Sequence, residues 1–211
     1  MRNVMLAMAA VSMLSACVVK QDPPISDEVL AASVYQHDGP PRLTLFTMIN
    51  NRTGRGAHTS LMINGSQRVI FDPAGSFRKG GIVTRDDVVY NVTPKLADIY
   101  TRFHARQTYH VVVQELDVSA EVAEQALQLA LARGEVPDAY CANSTSELLA
   151  KLPGFEGIEK TWYPKDLSEQ FNQIPGVSRS ELYEYDDGDR FKALEAFDAE
   201  RVRDNMAANG H

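Results

Sequence analysis

His58-Thr59-Ser60-Leu61-Met62-Ile63-Asn64-Gly65-Ser66-Gln67-Arg68-Val69-Ile70-Phe71-Asp72-Pro73 is the stretch whose reading decides the fold. His58 to Ile63 has the β-rich composition of a strand, Asn64-Gly65 is a strong hairpin signal, and Arg68 to Phe71 is the returning strand. Asp72-Pro73-Ala74-Gly75 then breaks the pairing. Two-residue alternation along the first arm fixes which face His58 occupies.

Working outward, Leu43 to Ile49 reads as a strand before the hairpin, with Asn50 to Ala57 as the loop between them. Tyr109 to Leu116, with the run Val111-Val112-Val113, reads as a further strand. Ser119 is a good N-cap for a helix over Ala120 to Arg133 that stops at Gly134. A second helix should contain Ser144 to Leu152, and a terminal one should run from Arg190 to Met206. These patterns predict an α+β fold, one domain of antiparallel strands packed against helices. Residues 42–190 form that domain, and 191–211 a C-terminal helix or tail.

The chain has 211 residues, of which 44% are hydrophobic and 23% charged, an ordinary globular composition that needs no disulfide scaffold. Twenty-eight acidic residues against 21 basic ones argue against a nucleic-acid partner. The charge is uneven. Arg42 to Arg106 carries ten Lys and Arg against four Asp and Glu, so the surroundings of His58 are basic and suit an anionic ligand.

The N-terminus reads as a targeting segment. Arg2 and the apolar run Val4 to Leu14 lead to Leu14-Ser15-Ala16-Cys17, which is similar to the lipobox of bacterial lipoproteins. That resemblance implies a signal peptide over 1–16, lipidation of Cys17, and a tether over 17–41. Val18 rather than Asp after the cysteine favours the outer membrane, with the protein facing the periplasm. Buried acyl chains would supply a firm membrane anchor.

With Cys17 assigned to lipid, Cys141 is left as an unpaired thiol in an oxidising compartment, and either an inert buried thiol or a nucleophile would explain it. Other chemistries lack their motifs. The sequence contains no dinucleotide fingerprint, no phosphate loop, no Gly-x-Ser-x-Gly elbow, and no histidine pair at metal-ligand spacing, so no cofactor and no metal are expected. Cys141-Ala142-Asn143-Ser144 lies at or just before a helix start, where the helix dipole favours a thiolate. One tension is that Ser144 and Glu147 could form a capping box and start the helix a turn later. Of the five histidines, His58 is the best partner; His104 and His110 read as structural.

The order of these pieces resembles the circularly permuted NlpC-type group of papain-like cysteine amidases and peptidases, which includes the lecithin retinol acyltransferase-like proteins. The resemblance covers roughly Leu43 to Phe171. It is carried by the His58 hairpin, by Cys141-Ala142 with Ser146-Glu147-Leu148-Leu149, and by Trp162-Tyr163-Pro164-Lys165-Asp166-Leu167. It implies a permuted papain-like fold with Cys141 as nucleophile, His58 as base and acid, and Asp72 as orienting residue. Asp72 lies fourteen positions after His58, about two more than is usual in the group, and Ser144-Thr145 replace the usual aromatic-aliphatic pair. The implied activity is thiol-dependent hydrolysis of a peptide such as a peptidoglycan stem. Two other readings stay open: an envelope lipoprotein that binds wall peptide or a protein partner without catalysis, and a lipid-directed acyltransferase or thioesterase.

Overall fold

The computed structural model describes residues 25–78, 81–185, 188–192 and 194–195. Seven strands form one antiparallel sheet: β1 (Arg42–Asn50), β2 (Gly56–Asn64), β3 (Arg68–Phe71), β4 (Thr84–Arg85), β5 (Val88–Val89), β6 (Tyr109–Asp117) and β7 (Ser178–Leu182), in the order β4-β5-β3-β2-β1-β6-β7. Five helices are described: α1 (Asp27–Ala32), α2 (Pro94–His104), α3 (Ala120–Leu131), α4 (Cys141–Leu149) and α5 (Pro164–Phe171). The fold is α+β, with helices on both faces of the sheet.

The two faces follow from the pleat. Opposite residues in the β1–β2 ladder share a face, so Leu43/Ile63 and Leu45/Leu61 lie on one side while Phe46/Ser60 and Met48/His58 lie on the other. The first set packs with Ala126 and Leu127 of α3, Leu148 and Leu149 of α4, and Leu167 and Phe171 of α5. The second packs with Leu96, Ile99, Tyr100 and Phe103 of α2, together with Phe77. Covered on both faces, β1 is buried over its whole interior, Thr44 and Thr47 included, so its sequence shows no alternation of apolar and polar residues.

Helix α2 was not anticipated, yet its signals are local. Thr93 caps it by accepting from Leu96 N, Pro94 occupies the first turn, and Leu96, Ile99, Tyr100 and Phe103 recur at helical spacing on its buried side. The stretch read as a tether contributes to the fold from residue 25 onward. Ser26 caps α1, Leu30 enters the first core cluster, and Tyr35 O accepts from Arg68 N at 2.7 Å. Cys17 and the segment 1–24 lie outside the described residues. So does most of the expected terminal helix, of which residues 191, 192, 194 and 195 are helical. Among the described residues, no helix is long and apolar enough to cross a membrane.

Candidate active site

His58 stands one residue past an irregularity in the sheet. The β1–β2 register steps from Met48↔His58 to Ile49↔Gly56, so Ala57 is an extra residue on β2. Such a bulge bends a strand and re-aims the side chains beside it. Gly56 allows close contact there: a Cβ on it would lie 2.5 Å from Lys165 N at the start of α5.

Asp72 follows β3 and reaches back to the histidine. His58 Nε2 donates to Asp72 Oδ1 at 2.7 Å, and the carboxylate is only 4% exposed. The fourteen-residue separation is spanned by a hairpin whose loop is Gly65-Ser66-Gln67, with Asn64 paired to Arg68, and by the turn after Phe71. That turn is tied down by a second buried carboxylate. Asp72 N donates to Asp87 O at 2.8 Å, and Asp87 Oδ2 accepts from Ala74 N and Val136 N. Gly75 completes the turn because nothing larger fits: a Cβ there would lie 1.8 Å from Asp72 Oδ2.

Tyr100 of α2 closes the other side of the carboxylate. Its Oη is 2.7 Å from Asp72 Oδ1 and 2.6 Å from Ser60 Oγ. The phenol has one proton, which goes to the carboxylate as the stronger acceptor, so the Ser60 hydroxyl donates in turn to Tyr100. Tyr100→Phe should leave the buried Ser60 hydroxyl without its partner and Asp72 with one donor fewer. The expected cost is about 1–3 kcal/mol of stability, read as a fall in Tm of roughly 2–4 °C per kcal/mol. Because the Tyr100 hydrogen bond helps hold the Asp72 carboxyl low, the acid limb of any Asp72-dependent activity should also move to higher pH. An unchanged Tm and pH profile would show that Tyr100 contributes packing alone.

Cys141 is the first residue of α4 and is 6% exposed. Tyr140 precedes it as a cap residue whose side chain makes no capping hydrogen bond, and Ala139 enters the turn with φ 68, in the left-handed region. The first-turn N–H groups therefore remain available to an anion at this helix end. The capping box suggested by Ser144 and Glu147 does not form. Ser144 is fully buried inside α4 with its N–H on Tyr140 O, and Glu147 is engaged by Lys151 and Lys160. The helix thus begins three residues earlier than a Ser144 start would have it, and the thiol sits at its end.

The Cys141 thiol and the His58 imidazole are close enough that each shifts the other's ionisation. Since Nε2 faces Asp72, Nδ1 is the ring nitrogen left for the sulfur. Burial alone would depress the His58 pKa, but its bonds to Asp72 and Cys141 outweigh that and raise it to about 10. Burial alone would raise the Cys141 thiol; the His58 bond and charge, with backbone N–H groups of Thr59 and Ala142, pull it below its ordinary value. Burial also opposes ionisation of Asp72, and the His58 contacts reverse the sign and lower it. All three directions favour a thiolate, an imidazolium and a carboxylate in line.

His104, which the sequence marks as structural, lies at this site as well. Its ring stacks on that of His58 with centroids 5.9 Å apart, and its Nδ1 faces Tyr100 O at 2.9 Å. Burial, helped by the charges of His58 and Arg190, drives its pKa down to about 4, so the ring is neutral at pH 7. Ligand atoms of His58, Asp72 and His104 lie within 4.8 Å of one another and could hold a metal ion. As they stand, the His58 and Asp72 atoms are spent on each other and on Tyr100. The spacing of Tyr100 and His104, one helical turn apart on α2, would have exposed both residues had that helix been anticipated.

The other described histidines are elsewhere. His110 Nδ1 faces Asn51 Oδ1 at 2.7 Å and His37 lies beside Tyr35. Asn64, a polar residue on the hairpin, donates to Gly39 O and Pro40 O at the far end of β2. A cleft of about 340 Å³ opens beside His58, with Ser76, Phe103, His104, Arg106 and Arg190 in its wall. No family model, no curated protein and no solved structure matches the chain.

Proposed function

We propose that this protein is a thiol hydrolase built on a permuted papain-like, NlpC-type domain, cleaving peptide-type substrates of the bacterial envelope. The observation that carries the reading is half-buried His58 set against two buried groups, bonded to Asp72 at 2.7 Å and coupled in its ionisation to Cys141. In this reading the Cys141 thiolate attacks a carbonyl carbon to give a tetrahedral oxyanion. The Cys141 backbone N–H at the uncapped start of α4 stabilises that charge. His58 passes its proton to the leaving group, the C–N or C–O bond breaks, and a thioester remains. Water then attacks the thioester as His58 removes its proton, and the acid product leaves with the thiolate restored. Asp72 holds the ring orientation and offsets the imidazolium charge throughout.

Peptidoglycan stem peptides are the proposed substrates, on the basis of the acidic character that suits the basic surroundings of His58. The lipobox-like Leu14-Ser15-Ala16-Cys17 supports an outer-membrane lipoprotein with its domain in the periplasm. Incubating purified peptidoglycan fragments with wild type should produce new peptide masses that Cys141→Ala does not produce. Identical products from both proteins, or none from either, would remove the peptidoglycan assignment. For the anchor, Cys17→Ser should abolish partitioning into a detergent phase, and unchanged partitioning would mean that another feature holds the protein at the membrane.

A further inference from the structure

The cleft beside His58 has a defined side. His58 forms part of its wall and Cys141 does not. In thiol acyl transfer the imidazole must deliver its proton to the departing atom, so the leaving group lies on the imidazole's side of the sulfur. The cleft is therefore where the portion of substrate beyond the scissile bond would sit, and at about 340 Å³ it is small-molecule sized.

Its wall carries a prepared cation. Arg190 donates from Nη1 to Ser76 Oγ at 3.0 Å, and its guanidinium carbon lies 5.3 Å from the ring centres of both Phe103 and Phe191. Contact with the two rings, themselves edge to face at 5.9 Å, restrains the guanidinium at low entropic cost and leaves donors for a ligand. Among the described residues, no carboxylate pairs with it, although most other arginines of the fold are matched: Arg42 with Glu115 and Asp117, Arg78 with Asp87, Arg102 with Asp98 and Glu184. Arg106 also lines the wall, and neutral His104 lines it without adding a charge.

We infer that this cleft is the leaving-group pocket and that it selects a leaving group bearing a carboxylate, which the Arg190 guanidinium receives. The inference builds on the thiol-hydrolase reading and names the substrate feature on one side of the bond. An amino acid or short peptide with a free carboxylate has the required chemistry: an amine at the scissile bond and an anion a few ångströms beyond.

Acyl transfer run toward an acceptor tests it without the natural substrate. In the full chain purified in detergent, the Cys141 thiolate attacks p-nitrophenyl acetate, the ester C–O bond breaks, and the leaving group takes the His58 proton and departs as p-nitrophenol, leaving an acetyl thioester and a neutral imidazole. An added amine then attacks the thioester carbonyl, a C–N bond forms, the C–S bond breaks, and the amine proton goes to His58. Alanine and alaninamide serve as paired acceptors that differ in the carboxylate, and the ratio of N-acetylalanine to N-acetylalaninamide is the readout. A charge-assisted contact of roughly 1.5–3 kcal/mol corresponds to about 10- to 100-fold, so Arg190→Gln should lower the ratio at least tenfold. Arg190→Lys should retain part of the preference, and Ser76→Ala should give an intermediate ratio.

An unchanged ratio in a folded Arg190→Gln protein would overturn the pocket assignment while leaving the thiol chemistry standing. Absence of a p-nitrophenol burst, or a burst that survives in Cys141→Ala, would instead overturn the thiol-hydrolase reading. The pocket is then judged by NMR titration of Cys141→Ala with the same two probes. Alanine binding that is lost on adding Arg190→Gln supports the pocket, and no preference for alanine over alaninamide overturns it.

Discussion

Cys141 should be alkylated by iodoacetamide at pH 6 roughly 10- to 100-fold faster than a free thiol. An ordinary cysteine with a pKa of about 8.5 is only about 0.3% thiolate at that pH. In the folded protein the His58 imidazolium and the α4 start stabilise the thiolate and lower the Cys141 pKa, so the ionised fraction at pH 6 rises above that of a free thiol. A low-pKa thiolate is intrinsically less nucleophilic, which returns part of the gain and keeps the expected factor near tens rather than hundreds. His58→Ala removes the largest stabilising contact and leaves burial, which raises the thiol. Labelling at pH 6 should therefore fall to or below the free-thiol rate, with a much smaller effect at pH 9.

The signs also separate two pH profiles. The Cys141 pKa is lowered, so thiolate persists as pH falls and the acid limb lies below that of a free thiol. The His58 pKa is raised to about 10, so the imidazolium needed as acid is lost only as pH rises through that value. Alkylation, which needs no proton donor, should stay high above pH 10, whereas amide turnover should decline there. Slow labelling of the wild type at pH 6, or labelling indifferent to His58, would leave a binding lipoprotein with an inert thiol as the better account.

Asp72→Asn should reduce acylation by p-nitrophenyl acetate by roughly two to four orders of magnitude while the protein remains folded, the range set by loss of the carboxylate from a Ser-His-Asp triad. The amide is nearly isosteric, and its oxygen can still accept from Tyr100 and His58, so the turn around Gly75 has no reason to rearrange. What is lost is the negative charge that supports the imidazolium. The His58 pKa should fall and the Cys141 pKa rise, moving the acid limb of labelling toward that of an ordinary thiol. Asp72→Ala is the harsher change, because it leaves two buried donors without an acceptor at about 1–3 kcal/mol each. An Asp72→Asn protein with full activity and an unmoved labelling profile would reduce Asp72 to a structural role.

Much of the fold is local in origin. The β2–β3 hairpin follows from the β-rich run, Asn64-Gly65 and the return through Phe71, and α3 follows from the Ser119 cap and its apolar spacing. The short strands β4, β5 and β7 were not legible, since two to five residues carry no usable periodicity and β7 is mostly exposed. The sequence leaves the start of α4 open, because Ser144 and Glu147 satisfy a capping pattern that burial and lysine pairing divert in the structure, and the helix ends at Leu149 rather than Leu152.

The sequence by itself determined the α+β class, the central strands and the short list of groups able to do thiol chemistry, because residue identity, local periodicity and turn residues suffice for those. Only the tertiary structure decided which of them meet. Cys141 comes from a helix packed mainly on one face of the sheet and His58 from the opposite face, and they join beside a bulge produced by an unmatched Ala57. Tyr100, His104 and Arg190 enter the same neighbourhood from elements 28 or more residues away from Asp72. Hydrogen bonds and electrostatic fields act through space, and their strength inside a desolvated cluster is set by ångström-scale distances that no one-dimensional spacing encodes.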